Sequence, residues 1–161
     1  MFRSRNYDAM KQSFDKIDTF ISKTMNDYGI ILLRISFGIV FIWFGILKPL
    51  GLSPAETLAS DLVAQAGYWI PLNEYLYPLL ALVEVSIGIL FLFRPTLRIA
   101  IFLLAIQMPL TFMPLIVLPA ATWVTFPIVP TLEGQYIIKN LILVSAAIVV
   151  GGTVRKSQDK Q

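Results

Sequence analysis

The chain has 161 residues, 57% of them hydrophobic and only 14% charged, with a mean hydropathy of +0.73. A soluble domain carries about 25% charged residues, so this composition is that of an integral membrane protein, of a length for one bundle domain. The net charge is +3 and the chain has no cysteine and no histidine, which excludes dithiol redox chemistry, thiolate metal sites, His-held haem or metal, and a His general base.

Few enzymatic mechanisms survive those absences. The isolated chain is expected to be non-catalytic and to hold no metal, with a quinone as the one candidate cofactor. Its basic residues sit beside apolar spans, which is a signature of topology and gives no reason to expect a nucleic-acid partner.

Residues 1–27 are polar and basic, with Arg3, Arg5, Lys11, Lys16 and Lys23, yet Tyr7, Met10, Phe14, Ile17, Ile21 and Met25 recur at helical spacing. This spacing predicts an amphipathic helix, lying on the membrane face or docked on a partner protein. No small-residue cleavage site follows it, so it is not read as a signal peptide.

The first predicted span is 28–49, YGIILLRISFGIVFIWFGILKP. Arg34, Gly38, Phe41, Gly45 and Lys48 fall on one helical face, charged at both ends and notched with glycine between. Such a face suits other helices or a cavity and not lipid. Next, Ser53, Pro54 and Glu56 form a helix start, Leu58, Leu62 and Ala66 form an apolar stripe, and Gly67 ends a short amphipathic helix on the outer side. Tyr68 and Trp69 suit the water–lipid boundary.

The remaining predicted spans are 75–93, 98–119 and 136–154. Pro109 and Pro114 predict kinks in the third. Residues 120–135 are interrupted by Pro127 and Pro130 and suit a loop or re-entrant piece. Trp43 and Trp123 read as boundary or packing residues. The expected fold is therefore an all-α, four-span membrane bundle over 28–154, with a cytoplasmic amphipathic segment 1–27 and a cytoplasmic tail 155–161. RISFGIVF from Arg34 also aligns without gaps to EVSIGILF from Glu84, as an inverted repeat or by the chance likeness of apolar segments.

Glu84 lies about nine residues from either end of its span, about 13 Å deep at helical rise. A carboxylate there is expected to be paired, protonated or hydrated. Arg34, about 9 Å deep, is the expected partner, with Gln107 at nearly the depth of Glu84, Thr111 on the same face as Gln107, and Ser145 as a further candidate. A second polar group, Lys48, Lys139, Asn140 and Glu133, lies nearer the outer side. Lys139 sits in the first turn of its span, at the positive helix end, and so needs a partner; Glu133 is nearest in sequence. These seven residues, Arg34, Glu84, Gln107, Lys48, Lys139, Asn140 and Glu133, are either the lining of a site for a polar or quinone-like molecule, or a register-fixing ion pair with snorkelling lysines.

The blocks LLRISFGIVFIWFGILK, LVEVSIGILFLFRP and LEGQYIIKNLILVSAAIVVGG resemble the DoxX-like membrane proteins, and within them the YkgB branch that includes the reactive-chlorine resistance membrane protein. The likeness covers roughly residues 28–154. It implies a four-helix protein of the bacterial cytoplasmic membrane. One relative, DoxD, is a subunit of a thiosulfate:quinone oxidoreductase, and others are tied to oxidant resistance. The expected functions are an accessory or stress-response module binding a partner or lipid-soluble ligand, or a quinone-binding subunit of an oxidoreductase; the candidate inverted repeat with Pro109 and Pro114 adds a small transporter as a third reading. Implied partners are the lipid bilayer with a membrane or redox protein, or a second copy of the chain.

The N-terminal segment, the turn at Arg94 and Arg98, and the tail are all basic, which puts all three on the cytoplasmic side. Single cysteines at Ser4, Ser60 and Ser157 in this cysteine-free chain test that assignment. An impermeant thiol reagent applied to intact cells is expected to label position 60 alone; labelling at 4 or 157 refutes the orientation.

Overall fold

The structure, a computed structural model, describes residues 2–53, 56–67 and 73–156. The expectations for Tyr68, Trp69, Pro54 and the end of the tail lie outside those residues. The first helix, α1, runs from Phe2 to Leu47 over 46 residues. It thus takes in both the predicted amphipathic segment and the predicted first span, because no proline occurs before Pro49. Past Lys48 the chain reverses at Gly51, whose φ of 66° is left-handed and suits glycine. Leu52 N–H closes the turn onto Leu47 O at 3.0 Å.

The chain divides into two units, Met1–Leu33 and Arg34–Gln161. In the first, Phe14, Ile17, Phe20, Ile21 and Met25 are exposed, and the hydroxyls of Thr19 and Thr24 bond back to Asp15 O (2.6 Å) and Phe20 O (2.8 Å) within the helix.

In the second, α2 (Glu56–Gly67) is followed by α3 (Asn73–Leu92), a 3-10 turn (Arg94–Thr96) and α4 (Leu97–Phe112). Two single turns, α5 (Pro114–Val117) and α6 (Pro119–Thr122), lead to a hairpin of β1 (Trp123–Thr125) and β2 (Val129–Pro130), and α7 (Leu132–Lys156) ends the described chain. The break between α4 and α5 falls at Pro114, one of the two predicted kinks, whereas Pro109 is carried inside α4. In the predicted loop, antiparallel strands pair Trp123 with Pro130 and Thr125 with Val129 across an irregular register. The Phe126–Pro127 bond in it is cis.

Among the described residues, three helical stretches are long and apolar enough to cross a membrane: Phe14–Leu47, Arg94–Val117 and Leu132–Arg155; Pro78–Leu92 is a shorter apolar helix. Their outward faces are apolar, with Phe102, Ile116, Ile142 and Ile148 each more than 60% exposed. A surface of that kind belongs in lipid, and the protein is accordingly read as a membrane protein.

The face of α1 that carries Arg34, Gly38, Phe41, Gly45 and Lys48 is buried at all five positions, together with Phe37. It packs on α3, which also contacts α2 and α4, and α4 packs in turn on α7. Between apolar helices in lipid, close approach at small residues replaces the hydrophobic drive. A methyl group added at Gly88 would come within 2.8 Å of Ile42 N and 3.0 Å of Gly38 O, and one at Gly45 within 3.0 Å of Val85 N. Next to these contacts the rings of Phe37 and Phe91 stack at 4.3 Å and 10°. Half-buried Leu58 and Leu62 mark the inner stripe of α2.

The glycine contact has a measurable consequence. Gly88→Leu is expected to lower the stability of the detergent-solubilised protein by about 1–3 kcal/mol through overpacking. Gly152→Leu, where an added Cβ meets nothing within 4 Å, gains up to about 1 kcal/mol from helix propensity. Thermal melts of the two variants should move in opposite directions.

Candidate functional site

The antiparallel packing of α1 on α3 sets Gly38 beside Gly88 and Gly45 beside Ala81 and Val85. In that register Arg34 is level with the end of α3. The guanidinium Nε donates to Phe91 O at 3.1 Å and Nη2 to Leu92 O at 2.7 Å. The Thr96 hydroxyl reaches Leu90 O at 2.8 Å. Helix-terminal carbonyls have no partner within their own helix and carry the negative end of its dipole. In an apolar surrounding the planar fork of an arginine satisfies two of them at once. The expected Arg34–Glu84 pair is therefore not formed: Arg34 caps α3.

The partner of Glu84 is Lys48. Its ammonium forms an ion pair with Glu84 Oε2, and both side chains are largely buried, at 8% and 15% exposed. Lys48 also approaches Phe44 O at 3.5 Å, in the last turn of its own helix, where a cation meets the negative dipole end. Lys48 is thus neither a snorkelling anchor nor part of an outer group. The other carboxylate oxygen, Glu84 Oε1, accepts from Gln107 Nε2 at 2.9 Å. Thr111 Oγ1 donates to Gln107 O at 3.2 Å, a bond inside α4. Gln107 is only 3% exposed, and its side-chain Oε1 is buried with no hydrogen-bond partner. A buried acceptor left in this state costs about 1–3 kcal/mol, so it marks the point where the cluster is incomplete.

The remaining candidates stand elsewhere. Lys139 makes no ion pair with Glu133; its ammonium lies 5.0 Å from the centre of the Tyr136 ring, a cation–π contact one turn away. Glu133 is exposed in the first turn of α7, where a carboxylate complements the helix dipole. Asn140 Nδ2 donates to Tyr136 O at 3.3 Å. Ser145 is exposed and bonds to Leu141 O at 2.9 Å, so it is not part of the polar layer. Trp123 is a packing residue with a polar tip, its indole N–H on Leu115 O at 2.9 Å.

The sequence contained one further clue to the Lys48–Glu84 pair. Spacing the glycines of two antiparallel helices against each other places Lys48 within reach of Glu84 and Arg34 at the end of α3; depth alone does not. Nothing in the sequence announced the joint around Thr131. Its hydroxyl reaches Ala121 O at 2.7 Å and accepts from Gly134 N–H at 3.2 Å, capping α7. A Cβ on Gly134 would fall 2.0 Å from Thr122 O, so only glycine fits that approach.

Chemically, the cluster is an ion pair with one amide bridging to it and one acceptor open. Among the described residues no group of three His, Cys, Asp or Glu could hold a metal ion. What the cluster offers is hydrogen bonding to a polar group that brings its own donor. No family model, curated protein or solved structure matches this chain.

Double-mutant cycles separate the two cation sites. Glu84→Gln leaves Lys48 buried without a counter-charge and is expected to cost about 3–5 kcal/mol. Combining it with Lys48→Met should recover a large part of that loss. Combining it with Arg34→Gln should be additive to within about 0.5 kcal/mol, because Arg34 serves other partners. Coupling between positions 34 and 84, measured in detergent melts, would refute this arrangement.

Proposed function

We propose that this chain is a DoxX-like, four-span protein of the bacterial cytoplasmic membrane, with both termini cytoplasmic and α3 as the fourth crossing. It acts as a non-catalytic accessory or stress-response module, and its polar cluster receives the head of a lipid-soluble ligand. The resemblance in three sequence blocks supports the family, and the basic flanks support the orientation. For α3, 20 residues span about 30 Å.

The observation that carries the ligand reading is Gln107. Its NH₂ is given to Glu84, and its Oε1 is buried and unpartnered beside a buried ion pair. A head group with a hydroxyl donor would complete it. The second reading, a quinone-binding subunit of an oxidoreductase, draws on the same place. Lys48 has three N–H donors for the two acceptors within its reach. A donor and an acceptor side by side suit a head that alternates between quinone carbonyl and quinol hydroxyl.

Purification in mild detergent, followed by mass spectrometry of co-purifying subunits and lipid-soluble compounds, tests both. A hydroxyl- or quinone-bearing compound is expected with the wild-type chain. It should fall about tenfold with Gln107→Met, the effect of losing one hydrogen bond of about 1.4 kcal/mol. A redox subunit in the same preparation selects the quinone-linked reading. Equal retention by both forms, or no retained compound, overturns the ligand site.

A further inference from the structure

At the opposite end of the bundle from Lys48, the start of α4 meets the end of α7. Arg98, Ile101, Gly151, Val154 and Arg155 there line a groove of about 340 Å³. Small-ligand sites begin at about this size. Its chemistry is divided. Arg98 and Arg155, both exposed, bring two guanidinium groups from helices far apart in sequence. Ile101, Val154 and Gly151 supply an apolar floor. Gly151 keeps that floor open at the backbone, since an added Cβ would lie 3.3 Å from the Ile101 side chain.

We infer that this groove binds the phosphate head group of an anionic phospholipid, with the first part of an acyl chain against Ile101 and Val154. A guanidinium presents five N–H donors in a planar fork matched to phosphate oxygens. Next to the lining residues along α4 and α7, Ile99, Phe102, Ile148 and Val149 are exposed and apolar. A soluble phosphate would leave the apolar floor uncovered; a phospholipid meets the positive charge and covers the floor. The inference rests on the proposed membrane orientation, in which this end faces the cytoplasmic leaflet, and basic pockets between spans on that side bind anionic head groups.

The test uses the full chain released from membranes in mild detergent. Native mass spectrometry after adding phosphatidylglycerol or phosphatidylcholine at equal concentration reads retention directly. One phosphatidylglycerol is expected to stay on each chain at least tenfold more than phosphatidylcholine. That preference should vanish in R98Q/R155Q and persist in K16Q, an exposed cation elsewhere on the chain. Equal retention of the two lipids by the wild type overturns the inference without reference to any variant. Inorganic phosphate that displaces phosphatidylglycerol completely would overturn the lipid in favour of a soluble anion. Alkaline extraction of membranes reports the underlying reading by itself. A chain released by alkali defeats the membrane assignment and this site together, whereas a chain retained without lipid preference defeats this site alone.

Discussion

The approach of α1 to α3 at Gly38, Gly45 and Gly88 is the constraint on which the polar chemistry depends. With backbone atoms of one helix 3 Å or so from where a Cβ of the other would stand, neither helix can slide without a collision. That register puts the guanidinium of Arg34 on the terminal carbonyls of α3 and the ammonium of Lys48 on Glu84. Two cations on one face of one helix thereby take different work. One completes a helix end, and the other neutralises a carboxylate. Phe37 and Phe91 stack near the Arg34 end of this interface.

The same requirement governs the least regular part of the chain. Prolines at 109, 114, 119, 127 and 130 remove backbone donors, and those from 114 onward stand where helical continuity is lost. An apolar environment does not tolerate the carbonyls so released. The Leu115 carbonyl, which Pro119 leaves without its helical N–H, is answered by the Trp123 indole, and Thr122 and Thr131 add hydroxyl bonds to Leu118 O and Ala121 O close by. The compact joint that results presses Gly134 against Thr122 and fixes where α7 begins. Against this thorough pairing, the open Oε1 of Gln107 stands out, and for that reason it carries the functional reading. The two proposed binding places differ in kind: the Gln107 cluster is buried and takes a donor, while the arginine groove is open and takes an anion.

Much of this architecture was legible in the amino-acid order. Hydropathy and length marked apolar helices, and helical spacing alone picked out the buried face of α1, from Arg34 through Gly38, Phe41 and Gly45 to Lys48. An amphipathic α2 ending at Gly67 and a helix break at Pro114 also follow from local chemistry, because each depends on residues within a turn or two of one another. The continuity of α1 through Tyr28 was equally local, but the change from polar to apolar composition concealed it. Pairings were a different matter. Depth in a span suggested Arg34 for Glu84 and nearness in sequence suggested Glu133 for Lys139, and neither pair forms. Which cation meets which carboxylate is set by the register of two helices and by where one of them ends, quantities that arise only when glycine contacts and helix termini are assembled in three dimensions. The sequence by itself determined which faces are buried and which groups must find partners; the tertiary structure alone decided the partners, because a side chain reaches only a few ångströms and a shift of one helical turn exchanges them.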